Sequence, residues 1–267
     1  MFSSMPSGTG ESAAATGFPR APCTPRCVAI RSPLAFAWFR GGAVNRHDGG
    51  TRRGPAMLPH IAWRLEAMIA AIAERRAPAT GAIAQALRKV PRHWFVPSVG
   101  LALDDDGGAV PIDRDTDPPA WWDAVYSGKP IATCRGGSAY TCVNPAPSAV
   151  VDLLEWLDLR PGLRVLEVGT GSGWVTALLC RLVGESGNVT SVEADPEVAQ
   201  AAARNLAAAG IRPHLVVGDG CPERGPYDRV LALSTMPDVW IEQARPGAVI
   251  IGGDDKAARL VVPETAS

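Results

Sequence analysis

Gly169, Gly171 and Gly173 stand in the run Leu166-Glu167-Val168-Gly169-Thr170-Gly171-Ser172-Gly173, just after an apolar segment and just before one with helical spacing. Alternate glycines let the chain turn tightly and let a ligand approach the backbone with no Cβ in the way. A helix starting near Gly173 would add free N–H groups. Such a loop between a strand and a helix is a nucleotide-type signal, compatible with a dinucleotide, a nucleotide or simple tight packing. Two acids narrow the choice. Glu193 ends the next apolar segment, where a carboxylate can accept both hydroxyls of a ribose. Asp219, within Gly218-Asp219-Gly220, ends the one after, within reach of an adenine amino group. The spacing is G-x-G-x-G after an acid, not the G-x-G-x-x-G of a nicotinamide dinucleotide fold.

These residues must be positioned by alternating strands and helices. Residues 147–157 have helical spacing, 164–168 read as a buried strand, and 174–183 again as a helix. Residues 188–193 read as a strand. Asp195 and Pro196 start a helix over 196–209 as N-cap and first-turn proline, and Gly210 ends it. Strands over 214–217 and 228–233 follow. This order predicts an α/β fold with a doubly wound, mainly parallel sheet over 145–267, whose ligand sits at the strand ends.

The preceding part differs. Ile61, Leu65, Met68, Ile69 and Ile72 recur at helical spacing, and a second short helix is predicted over 80–89. Residues 57–144 are therefore read as a helical cap. Residues 98–120, rich in Asp, Gly and Pro, read as a solvated loop, because an EF-hand's ligand order is absent. Residues 1–56 carry 8 Gly, 6 Pro, 5 Ser and 7 Arg against two acids. They read as a disordered tail or as the product of a mis-assigned start at which Met57 is the true beginning.

Composition bounds the partners. With 26 basic and 27 acidic residues the net charge is −1, against a protein that grips nucleic acid by bulk charge. No 18-residue apolar stretch exists, so no membrane span is expected. The six cysteines are scattered and read as reduced thiols in a cytoplasmic protein. Cys23 and Cys27 have a ligand-like spacing but no second pair follows, and His47, His60, His93 and His214 share no metal-like spacing, so no metal is expected.

The glycine loop continuing into Trp174, with Ser191-Val192-Glu193 and Gly218-Asp219-Gly220, resembles the cofactor motifs of class I S-adenosylmethionine-dependent methyltransferases. Val90-Pro91-Arg92-His93-Trp94-Phe95-Val96-Pro97 and Pro246-Gly247 resemble, more narrowly, the protein-L-isoaspartate O-methyltransferase family over about residues 58–253. Arginine-over-lysine usage and the insert at 98–120 are similar to its actinobacterial peptide-tailoring branch. The resemblance implies S-adenosylmethionine as cofactor. It implies Glu167, Gly169, Thr170, Gly171 and Gly173 around the methionine part, Glu193 on the ribose, and Asp219 with Gly220 at the adenine. It also implies a protein or peptide substrate whose aspartyl or isoaspartyl carboxylate is methylated to an ester, from which a backbone nitrogen can form a succinimide.

Tyr140-Thr141-Cys142-Val143-Asn144-Pro145 matches the family's substrate loop, making Thr141 and Val143 the catalytic candidates. Val143 stands where the family has its active-site serine, and valine has no hydroxyl to donate. The chemistry itself asks little of an enzyme's acids and bases. A carboxylate is already ionised at pH 7, and alignment alone can supply roughly 7–11 kcal/mol. The resemblance also implies a β-hairpin after Gly253, for which the remaining residues suffice only for one short strand over 257–262, leaving an incomplete sheet edge. Three readings stand beside methylation of a protein carboxylate: a truncated, non-catalytic cofactor- or peptide-binding relative, a methyltransferase with another acceptor, and a nicotinamide-dependent oxidoreductase.

Overall fold

The computed structural model describes residues 28–29, 58–75, 81–104, 106–136, 139–218, 225–232, 242–252 and 258–263. The tail expected over 1–56 lies outside them, except for a two-residue strand β1 (Val28–Ala29). Helix α1 (Pro59–Glu74) buries Ile61, Leu65, Met68 and Ile72, and helix α2 (Gly81–Lys89) buries Ile83, Ala86 and Leu87. These are the faces that the 3.6-residue period predicts. A 3-10 turn (Arg92–Phe95) follows.

The helical cap is not helical throughout. Residues 57–144 also hold a four-stranded antiparallel sheet, made of β2 (Val99–Leu103), β3 (Ala109–Asp113), β4 (Ile131–Gly136) and β5 (Ala139–Asn144), with helix α3 (Pro118–Val125) between β3 and β4. Its order is β3-β2-β4-β5. The segment read as a solvated loop is thus mostly a hairpin and the start of a helix. Its acids serve turns and caps: Asp106 accepts from the Gly108 N–H at 3.3 Å, Asp113 from Asp115 at 2.9 Å, and Asp117 caps α3 through Ala120 at 3.1 Å. Such side-chain bonds to nearby backbone are the ordinary use of aspartate at turns. Interruptions by Gly100 and Pro111 mask its period of two.

The second half follows the predicted alternation: α4 (Pro147–Trp156), β6 (Arg164–Val168), α5 (Trp174–Val183), β7 (Asn188–Glu193), α6 (Pro196–Ala208), β8 (His214–Val217) and β9 (Tyr227–Ala232). Strands β10 (Ala244–Gly252) and β11 (Ala258–Val261) complete it. The sheet runs β1-β8-β7-β6-β9-β10-β11. β8, β7, β6, β9 and β10 are parallel, while β1 and β11 pair antiparallel at the two edges. β11 is the single short strand expected near 257–262.

Side-chain alternation across the strands builds two cores. Val165, Val189, Leu231, Val249 and Ile251 join one large core with α1 to α6 and the 3-10 turn. Leu166, Val192, Val216, Val230 and Ile250 form a smaller one on the other face. Asp195 caps α6 through the N–H groups of Glu197 and Val198, as its position before Pro196 predicts. Contrary to the expectation of reduced thiols, Cys142 is disulfide-bonded, whereas Cys180 is free. Among the described residues no helix is long and apolar enough to cross a membrane, and no cluster of His, Cys, Asp and Glu could hold a metal.

Candidate active site

The loop after β6 folds over the end of β7. The N–H groups of Gly169 and Thr170 both donate to the Val192 carbonyl, at 2.8 and 3.2 Å. This close wrap requires φ of +94° at Gly169 and +54° at Gly171, a region costly for residues with a Cβ. A Cβ at either position would meet only open space. Glu193 fixes the loop from below. One of its oxygens accepts the Gly171 N–H at 2.9 Å and the other the Asp195 N–H at 3.2 Å.

A cavity of about 820 Å³ opens at these strand ends. Glu167, Gly169, Thr170, Gly171, Glu193 and Gly218 line one side of it. Cys142, Val143 and Pro145 line it from the cap sheet and its exit. The structure therefore brings together five of the eight cofactor candidates with Val143. Gly173 stands apart from that lining. It caps α5 at φ +88°, and an added Cβ would come within 3.1 Å of Leu206 Cγ. Thr141 lies in β5, its side chain outside the described residues, and Asp219 and Gly220 lie outside them entirely. A second cavity, of about 640 Å³, lies among Lys89, Cys180, Arg181, Gly187 and Arg212 and contains none of the predicted site residues.

Glu167 is 2% exposed. One of its oxygens accepts hydroxyls from Thr176 at 2.5 Å and Ser191 at 2.6 Å, and Ser191 in turn lies 2.7 Å from the Thr170 hydroxyl. Burial pushes its carboxyl up to about 7, against the pull of those two hydroxyls, and the nearby Glu193 charge adds to the rise. The acid that opens the glycine motif is thus held by a buried hydroxyl network that links β6, β7, α5 and the loop.

Arg92 stands in the Val90–Pro97 segment, whose spacing alone points to no role for it. It is fully buried. Its guanidinium donates to Asn144 Oδ1 at 2.8 Å and to the carbonyls of Val125, Lys129, Asn144 and Pro145 at 2.8–3.0 Å. It also lies 5.4 Å from the centre of the Trp174 ring. Desolvation lowers its pKa to about 9, so it remains charged at neutral pH. Asn144 passes the connection on, donating to Ser172 Oγ of the glycine loop at 3.1 Å. One buried cation thus ties the end of β5 to the glycine loop. An arginine between Pro91 and an aromatic pair was the available signal. Of that pair Phe95 is core, while Trp94 is 45% exposed.

A sheet of this strand order, with a glycine loop leaving its central strand, is that of a class I S-adenosylmethionine-dependent methyltransferase. Comparison with known proteins agrees. The sequence model of the family described as Protein-L-isoaspartate(D-aspartate) O-methyltransferase matches residues 109–258. The protein-L-isoaspartate O-methyltransferase of Aeropyrum pernix is 30% identical over 88% of this chain and 86% of its own length. That of Pyrococcus horikoshii is 42% identical over 40% of this chain and 50% of its own. A solved protein-L-isoaspartate O-methyltransferase is 28% identical with a TM-score of 0.58, covering 70% of this chain and 54% of that one. The chain belongs to the protein-L-isoaspartate O-methyltransferase family. It spans about half the length of the Pyrococcus relative and of that solved structure.

Proposed function

We propose that this protein transfers a methyl group from S-adenosylmethionine to the side-chain carboxylate of isoaspartyl or aspartyl residues in a protein or peptide. The observation that carries the reading is the shared cavity, with the glycine loop and Glu193 on one side and Cys142, Val143 and Pro145 on the other. Open space beside Gly169 and Gly171, where any other residue would put a Cβ, fits the close approach of a large ligand. Glu193 accepts one backbone N–H on each oxygen, which leaves lone pairs on both for ribose hydroxyls. Glu167, Thr170 and Gly171 would surround the rest of the cofactor, with Asp219 and Gly220 at its base. The cofactor supplies an activated methyl on a sulfonium sulfur. What the chain adds is placement: Thr141 and Val143 on β5 would orient the acceptor carboxylate across the cavity from the glycine loop.

The test is calorimetric titration with S-adenosylhomocysteine, with NAD as control. Binding is expected for S-adenosylhomocysteine alone, and Glu193→Ala should weaken it by about tenfold or more, the worth of one charge-assisted hydrogen bond. Labelled methyl transfer to an isoaspartyl peptide, and not to one lacking the carboxylate, then identifies the acceptor. Absence of S-adenosylhomocysteine binding by the folded chain overturns the reading in favour of a non-catalytic relative.

A further inference from the structure

Ser172 of the glycine loop is gripped from two sides. Its Oγ accepts from Asn144 Nδ2 at 3.1 Å, and its carbonyl accepts from Asn205 Nδ2 of α6 at 3.0 Å. It is buried and lines the cavity beside Gly171. Asn144 is fully buried and follows Val143, which lines the same cavity from the cap sheet.

The direction of the Asn144 bond is dictated from behind. A guanidinium offers only donors, so the amide oxygen of Asn144 must face Arg92 Nε, where it lies at 2.8 Å. The amide nitrogen is left for Ser172, whose Oγ has to accept. Arg92 also donates to the Asn144 carbonyl at 3.0 Å, so one cation holds both the backbone and the side chain of this residue. A further cap contact, from Trp174 Nε1 to the Val90 carbonyl at 3.1 Å, holds the start of α5. The Asn144 bond joins the two cavity walls themselves.

We propose that Asn144 is a positioning residue for methyl transfer, through which the glycine loop and β5 are coupled, so that cofactor and acceptor each strengthen the binding of the other. The proposal rests on the methyl-transfer reading. In that reaction a carboxylate oxygen bonds to the methyl carbon as the carbon–sulfur bond breaks, its electron pair staying on sulfur. The charges of carboxylate and sulfonium cancel, and no proton moves. A misplacement of about 1 Å along such a line can cost about a hundredfold. The two reactants meet walls built separately, one from the loop between β6 and α5, the other from the cap sheet. A ligand that fixes Ser172 also fixes the amide that ends β5, and the second ligand then finds its wall already ordered. The coupling is reciprocal by linkage.

The test is calorimetric titration of the full chain with an isoaspartyl peptide, with and without saturating S-adenosylhomocysteine. The peptide is expected to bind about fivefold or more tighter with it, and S-adenosylhomocysteine to gain the same factor from the peptide. Ser172→Ala and Asn144→Ala break the bond from opposite ends. Each should bring that factor to about one and lower kcat about tenfold or more, with S-adenosylhomocysteine affinity in the absence of peptide held within about threefold. Asn144→Asp should recover the coupling, because a carboxylate accepts from Arg92 on one oxygen and from a turned Ser172 hydroxyl on the other. A purely packing role would give no such rescue. Amide exchange over residues 142–144 should slow when S-adenosylhomocysteine binds the parent, and be faster in ligand-free Ser172→Ala than in the ligand-free parent. Equal peptide affinity in both states of the parent overturns the coupling, as does coupling that survives both alanine variants. Lost S-adenosylhomocysteine affinity in Ser172→Ala with coupling intact would make Ser172 a cofactor contact and overturn the role of Asn144. Failure of S-adenosylhomocysteine to bind the parent would instead strike the methyl-transfer reading, and exchange in the ligand-free chains would still decide the anchor.

Discussion

Arg92 Nε donates to Asn144 Oδ1 over 2.8 Å, joining the 3-10 turn of the cap to the last residue of β5 across 52 positions of sequence. Both residues are fully buried. The same guanidinium satisfies four backbone carbonyls, so its removal leaves several buried acceptors without partners.

Arg92→Ala is accordingly expected to destabilise the fold by about 3–5 kcal/mol, the usual cost of breaking a buried charged network from one side. Arg92→Lys keeps a charge but loses the planar fork, and should recover only part of that loss. In urea unfolding, Arg92→Ala and Asn144→Ala should be non-additive by more than about 0.5 kcal/mol, the signature of partners in one network. Additive losses would show that the two residues act separately.

Gly173 and Gly169 make opposite predictions although both have positive φ. At Gly173 a methyl adds left-handed strain and contact with Leu206. Gly173→Ala should cost about 2–4 kcal/mol of stability from the two effects together. At Gly169 nothing stands within 4 Å of the added carbon, so Gly169→Ala should lose less stability and more S-adenosylhomocysteine affinity. Thermal unfolding and calorimetry on the two variants check the contrast.

Glu167 gives the fold a pH dependence. Its carboxyl, at about 7 in the folded chain, titrates above the ordinary glutamate range. The folded state therefore holds a proton that the unfolded chain has released, and stability is lost as pH rises from about 4.5 through about 7. The full difference is about 3 kcal/mol at the usual 1.36 per unit. Unfolding midpoints of the parent and Glu167→Gln, measured between pH 5 and 8, should converge on one side and diverge on the other. Parallel curves would place the carboxyl's titration elsewhere.

Val143 is 46% exposed at the cavity, so Val143→Ser should leave stability within about 0.5 kcal/mol. A hydroxyl there can donate to an acceptor carboxylate. We expect kcat/KM for an isoaspartyl peptide to rise about tenfold or more, the worth of a hydrogen bond to a charged group, with cofactor affinity unchanged. An unaltered or lower rate would show that the acceptor is fitted to an apolar wall.

The sequence by itself determined the cofactor half of the molecule. Its strands are buried on both faces and its helices carry one apolar stripe, so hydrophobic period, the Asp195-Pro196 cap and the glycine spacing gave β6 to β8 and α4 to α6 nearly at their observed bounds. These signals are local: each depends on neighbours within one or two turns of chain. The cap sheet was not legible in this way. β2 to β5 are short, the β4–β5 ladder shifts register, and their pairing is fixed by partners in other segments. Nor could spacing show that Arg92 would be buried against Asn144, or that Gly173 serves packing while Gly169 borders a cavity. Those roles depend on which surfaces exclude water once the cap closes on the sheet, and that only the tertiary structure decides.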